Sequence, residues 1–351
     1  MEQNINEIIN CKDSYNGMTL TERMVHFHTP AISIAVVKDY AIDTAFALGV
    51  KKWGTEEAVT PSHLFQAASI SKPIFATAVM KLQEQGIIDI DKDVNNYLKN
   101  FKTVTATGET RQATLRQIFC HSAGFTVHGF DGYSRNMTIP STLDILNGKG
   151  NSDMVIIEPE NIGHYAYSGG GFTVAQKAIC DFTGKDLPDI MDELIINPLG
   201  MTLSTYNQPL PQDRLNDCVL GYYENYEPVE GGFNVYPEMA AAGLWTTPSD
   251  LARFGIAVQK GLLSDEGFLC QKALQEMLTP QTIVDQPWGI AFGISQNYFM
   301  HNGCNNGYES IMKFTKENGY GAVIMVNSNE GSLCNEVFNA ISKVFSFPKE
   351  I

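Results

Sequence analysis

No apolar run in this chain approaches 18 residues, so no transmembrane helix is expected. Met1–Asn16 is polar and acidic, without the basic and apolar stretches of a secretory leader. Cytoplasmic residence is therefore the expectation, with export the alternative if a leader has been removed. Paired cysteine motifs are missing too. The seven cysteines (11, 120, 180, 218, 270, 304, 334) are odd in number and scattered, with no CxxC among them. That excludes a zinc knuckle or redox pair by motif, and they read as reduced, mostly buried thiols. Basic residues are scarce: 24 Lys and Arg stand against 39 Asp and Glu, a formal net charge of −15. Nucleic acid demands a basic footprint and anionic membranes repel such a chain, so neither is an expected partner. HExxH, GxSxG and GxxxxGK[ST] are all absent, which removes the zincin, α/β-hydrolase and P-loop readings as motifs. His26-Phe27-His28 is a possible chelate, but the sequence fixes no third ligand. Neither metal nor cofactor is expected.

What is present suits a globular protein. With 351 residues, 44% hydrophobic and 18% charged, the chain can bury a sizeable core as one large domain or two interleaved ones. No internal repeat or low-complexity tract interrupts it. Ala31–Val37 and Ile42–Leu48 read as paired strands, and Gly289–Phe299, Ser310–Phe314 and Tyr320–Asn327 as three more. Ser332–Phe345 reads as a closing helix with Leu333, Val337, Ile341 and Val344 on one face. Helical periodicity and loops dominate between these groups, as in Thr173–Phe182, capped by Gly184. The expected architecture is α/β (α+β): a mostly antiparallel five-stranded sheet flanked by helices. Residues 1–86 and 286–351 would form the sheet domain, and 87–285 an inserted helical subdomain.

Ser69-Ile70-Ser71-Lys72 is the most informative stretch. A serine hydroxyl is a poor nucleophile without a base beside it, and on a helix Lys72 would stand one turn from Ser69. A partly desolvated lysine can lose its proton and take one from the serine. Ser-x-x-Lys recurs as Ser310–Lys313 and Ser346–Lys349. The first of these reads as strand, where an offset of three separates the faces; the second is broken by Pro348. Only Ser69 leads into a helix with an apolar stripe, Phe75, Val79 and Leu82, ended by Gly86. The competing reading of Ser69 is an ordinary helix N-cap.

Two further stretches follow in order, Tyr165-Ala166-Tyr167-Ser168-Gly169-Gly170-Gly171 and His301-Asn302-Gly303-Cys304. With Ser69–Lys72 they resemble the Ser-x-x-Lys, Tyr-x-Asn and Lys/His-x-Gly motifs of the serine β-lactamase and penicillin-binding-protein superfamily. The branch they are most similar to is that of class C β-lactamases, D,D-peptidases and esterases. The likeness extends to Ala31–Lys38, to Thr114–Phe125 (TLRQIFCHSAGF), to Pro198–Met201 and to Gly243–Phe254 (GLWTTPSDLARF). It implies the fold outlined above, with the active site in the cleft between its two parts.

The resemblance implies a role for each residue. Ser69 attacks a carbonyl to form an acyl-enzyme, with Lys72 as base or tuning charge. Tyr167 shuttles the proton, and two nearby cations would lower its phenol pKa. Tyr165 shares its strand face, but the family spacing selects Tyr167. Gly169 stands where many relatives carry a substrate-gripping asparagine, which counts against efficient β-lactam turnover. The run Gly169–Gly171 also admits a phosphate-cradling loop, for which no companion motif exists. His301 replaces the usual lysine, so the site's charge would be lost as pH rises through an imidazole pKa near 6.5. Asn302 and Gly303 would line the substrate strand, and the backbone N–H groups of Ser69 and Cys304 would form the oxyanion hole. His121 and Trp245 fall in family-like segments and read as structural.

The resulting expectation is a metal-independent serine hydrolase acting on a small ester or on an amide such as a D-amino-acid peptide. One alternative is a true β-lactamase or D,D-carboxypeptidase. Another is a non-catalytic ligand- or peptide-binding member of the fold. The sequence leaves the natural substrate and the oligomeric state open.

Overall fold

The computed structural model describes residues 2–265, 267–281, 287–329 and 332–348. Ten strands occur among them: β1 (Ala31–Lys38), β2 (Ala41–Gly49), β3 (Phe65–Gln66), β4 (Tyr133–Ser134), β5 (Asn234–Val235), β6 (Trp245–Thr246), β7 (Gly293–Ile294), β8 (Tyr298–Asn305), β9 (Tyr308–Thr315) and β10 (Gly321–Val326). Six form one sheet in the order β2-β1-β10-β9-β8-β7, with every neighbouring pair antiparallel. The remaining four make two short ribbons, β3 with β6 and β4 with β5.

The sheet has six strands rather than the expected five. Gly289–Phe299 is not one strand: it splits into the two-residue β7 and the start of β8, joined by a tight turn in which Ser295 N donates to Tyr298 O. The hydrophobic run could not reveal that break, because Ile294 and Phe299 are buried on both sides of it. The β1–β2 turn is legible only in part. Asp39 and Tyr40 both take left-handed φ (51° and 60°), the geometry of a primed hairpin turn, without a glycine.

The pleat divides β1 between two cores. Ile32, Ile34 and Val36 pack with the closing helix Leu333–Val344 and the N-terminal helices Glu2–Ile9 and Leu20–His26. Ala35 and Val37 face the larger cluster of the helical side. Arg23 clasps Glu336 with two charge-assisted bonds, 2.7 Å from Nε to Oε2 and 2.6 Å from Nη2 to Oε1, tying the N-terminal helix to the closing one.

Helix Pro248–Gly261 lies in the stretch read as inserted, yet it packs on β1, β10 and β9. Gly255 permits this, since a Cβ there would stand 2.2 Å from the Phe314 ring. Helix Ser71–Glu84 is likewise deeper than a stripe implies: every residue from Ser71 to Met80 is buried, as is Leu82. Each large apolar side chain so buried (Ile74, Phe75, Val79, Met80 and Leu82) contributes roughly 1.5–3 kcal/mol. The helix therefore enters from the middle of the molecule, and the residues just before it are held at the bottom of a cleft.

Candidate active site

A short 3₁₀ turn, Ala68–Ile70, delivers Ser69 to helix Ser71–Glu84. Ala68 takes a left-handed φ of 49°, a strained conformation for a residue with a Cβ. Several bonds pin this turn from outside. Ser71 Oγ donates to Ala68 O (2.6 Å) and accepts from Leu244 N (3.0 Å), Tyr206 Oη donates to Ser71 O (2.9 Å), and Ala67 N donates to Leu244 O (2.9 Å). Ser69 makes no side-chain cap, so it is not the helix N-cap.

Lys72 Nζ stands 2.9 Å from Ser69 Oγ and 2.8 Å from Ala241 O, to which it donates. It is 2% exposed and has no carboxylate partner among the described ion pairs. Burial pushes its pKa down to about 7, so at neutral pH a large fraction is free amine, able to accept the serine proton. The same Nζ lies 5.0 Å from the centre of the Tyr167 ring.

Tyr167 shares a hydrogen bond with Ser69 and lines the cleft; Tyr165 does neither. Its pKa is raised, not lowered as the sequence suggested, because burial outweighs the Ser69 bond. His301 explains part of the reversal. Its Nδ1 lies 2.6 Å from Asn302 O, a pure acceptor, so the proton sits on Nδ1. Burial, then Lys72, push the imidazole down to about 3. It is neutral throughout the physiological range, and the expected loss of charge near pH 6.5 does not arise.

β8 brings His301, Asn302, Gly303 and Cys304 to the cleft. Gly303 makes the approach possible: a Cβ there would stand 2.1 Å from Ala67 O and 2.5 Å from Ser310 Oγ. Asn305 and Tyr308 flank the two-residue turn to β9, so ladder bonds fall on 305 and 303, while the Cys304 amide points to the open edge. Ser69 N lies in the first turn of its helix, where amides lack intrahelical acceptors. Ser69 and Cys304 both line the cleft. The Cys304 thiol is held 3.6 Å from Asn329 Nδ2, and partial burial of the sulfur, then Glu309, raise its pKa, which disfavours a thiolate nucleophile.

Gly169 does not reach the cleft. It is buried at the start of helix Gly169–Thr183, donating its N–H to His128 O at 2.9 Å. A Cβ on it would meet His128 O and Phe130 Cε2, each at 3.1 Å. The glycine run serves close packing rather than a phosphate: a Cβ on Gly170 would lie 2.6 Å from Thr126 O. Ser168 caps that helix, its Oγ accepting from Gly171 N at 2.9 Å.

The cleft has a volume of roughly 610 Å³, and its lining includes no Lys or Arg among the described residues. Three lining or adjoining residues escaped the sequence reading. Trp288 packs 5.5 Å from His301, His128 lies 4.9 Å from Tyr167, and the Ala241 carbonyl holds Lys72. Nothing periodic marks them. His121 was read as structural; its ring lies 4.2 Å from that of Tyr167. Ser346 of the third Ser-x-x-Lys is not among the residues lining the cleft, and Lys349 is outside the described residues. All seven cysteines are free, but only Cys120, Cys218 and Cys334 are buried. Among the described residues no His/Cys/Asp/Glu group has metal-holding geometry, and no helix is long and apolar enough to cross a membrane.

Comparison with known proteins points one way. The family described as Beta-lactamase matches residues 19–336. A putative penicillin-binding protein, PbpX, of Bacillus subtilis is 22% identical over 82% of this chain and 68% of its own length. Beta-lactamase-like protein 4 of Dictyostelium discoideum is 25% identical over 74% of this chain, which spans about half (49%) of that protein. The crystal structure of a D-amino acid amidase from Ochrobactrum anthropi SV3, complexed with D-phenylalanine, superposes with a TM-score of 0.75 at 20% identity. That superposition covers 99% of this chain and 100% of the other, and it shows a shared fold.

Proposed function

The chain belongs to the beta-lactamase family, and on that footing we propose that it hydrolyses small esters or amides lacking a carboxylate, through an acyl-enzyme on Ser69. The observation that carries the substrate class is the cleft's charge. No Lys or Arg lines it among the described residues, and His301, at the motif slot where the resemblance implies a lysine, is neutral. A penicillin or a peptide C-terminus would bring its carboxylate to a site with no counter-ion at its mouth. Trp288, Tyr167 and Met300 offer apolar surface instead. An uncharged aryl or alkyl acyl group fits that lining, and so does an amino-acid amide of the kind the amidase relative's name describes.

In this reading neutral Lys72 takes the Ser69 proton as Oγ bonds to the carbonyl carbon. The charge developing on the carbonyl oxygen is met by the Ser69 and Cys304 N–H groups, a contribution of about 3 kcal/mol per donor. The carbon–leaving-group bond then breaks, and the leaving group takes its proton from the Tyr167 phenol, which Lys72 re-supplies. Water repeats the sequence in reverse and frees Ser69.

The test compares kcat/KM on a neutral p-nitrophenyl ester and on D-phenylalanine amide with that on a peptide ending in a free carboxylate, alongside labelling by a fluorescent penicillin. Neutral substrates should lead by ~10- to 100-fold, the worth of one missing charge-assisted bond of about 1.5–3 kcal/mol. Rapid turnover of the penicillin would instead favour a β-lactamase. No reaction with any substrate or with a fluorophosphonate would favour a binding protein.

A further inference from the structure

His121 sits just past the short helix Leu115–Phe119, at a left-handed φ of 58° that a histidine adopts at a cost. Two separate bonds run from it to the segment carrying Tyr167. Its backbone carbonyl accepts from Ala166 N at 2.8 Å, and its Nδ1 accepts from Ser168 N at 3.1 Å. One residue therefore grips the chain immediately before and immediately after Tyr167. Its imidazole also lies against the phenol ring, centroids 4.2 Å apart and planes 33° apart.

The chemistry of this contact is fixed. A backbone N–H can only donate, so Nδ1 carries a lone pair and the proton is on Nε2. The residue is 2% exposed, and burial, then nearby Lys72, hold its pKa well below the ordinary histidine range. The ring thus stays one neutral tautomer, a fixed acceptor for Ser168. Phe172 and Trp288 enclose it at 5.4 and 5.5 Å, leaving little freedom to turn. Among the described residues no hydrogen bond joins it to Ser69; the two bonds above both run to the segment carrying Tyr167.

We propose that His121 is the positioning residue for Tyr167, bracketing its backbone with two hydrogen bonds and setting its ring against Ser69. The proposal rests on the reading that Tyr167 takes part in the chemistry. A side chain that merely stabilises the fold would lower activity independently of Tyr167. A positioning residue should lose its effect once the phenol hydroxyl is gone.

That difference is measured by a double-mutant cycle on the full chain, with a neutral p-nitrophenyl ester as substrate. His121→Phe keeps a ring but removes the acceptor for Ser168; His121→Asn keeps an acceptor near the Nδ1 position and tolerates the left-handed backbone. If His121→Phe does not give folded protein by circular dichroism, His121→Gln, whose oxygen lies a bond too far out, takes its place. We expect His121→Phe to lower kcat ~10- to 100-fold with KM changed less than ~3-fold, and His121→Asn to recover most of the loss. In the Tyr167→Phe background the same changes should cost less than ~2-fold. Equal losses in both backgrounds, or no loss in the parent protein, would overturn the proposal. A Tyr167→Phe variant as active as the parent would reject the reading of Tyr167 itself, and the positioning role with it.

Discussion

Lys72 and His301 differ in sequence-level surprise but share one cause, burial without a charged partner. Lys72 is left near 7 and His301 near 3, so only Lys72 titrates where the enzyme works. In its proposed role as base Lys72 must be neutral to accept a proton, so kcat/KM on a neutral ester should rise about tenfold per pH unit below ~7 and level off above it. His301→Ala should leave that limb in place, while His301→Lys adds a like charge and should move it to lower pH. A pH series on the three proteins checks this, and a limb that disappears in His301→Ala would contradict it. The same burial has a stability consequence. Lys72 titrates at 10.5 when unperturbed, so between about 7 and 10.5 the unfolded chain binds more protons than the folded one. Stability contributed at this site therefore rises with pH across that window and is lowest below it.

Among elements, β8 and the turn carrying Ser69 pack as one unit, and Gly303 is a point of close approach between them. Gly303→Ala would drive a Cβ into a backbone oxygen that cannot move without shifting the Ser69 turn. We expect activity to fall more than ~100-fold and stability by roughly 1–3 kcal/mol, measured by kinetics and by urea unfolding. Unchanged kinetics would show that β8 tolerates withdrawal from Ser69. The elements themselves were largely legible. β1, β2, β9, β10 and the closing helix lie within a residue or two of where the apolar pattern put them, because each carries an apolar run or stripe long enough to mark its extent. β7 was not legible, since two residues carry no periodicity. Nor was the seat of Gly169: a glycine's spacing reveals a motif slot, but not that Phe130 fills the space a side chain would need.

Across the whole molecule, the motif order predicted which stretches converge, and Ser69, Lys72, Tyr167 and His301 do meet at one cleft. Their protonation states were hidden, because those depend on how completely distant segments exclude water. Ala241 and Trp288 come from parts of the chain that share no pattern with the motifs, and only the packed fold delivers them. All of these features serve one claim, that Ser69 becomes acylated. Intact-mass spectrometry after treatment with a fluorophosphonate tests it most directly, on the parent protein and on Ser69→Ala with its fold verified by circular dichroism. The account predicts a single adduct on the parent, located at Ser69 by peptide mapping, and none on the variant. An adduct of undiminished yield on Ser69→Ala would contradict it.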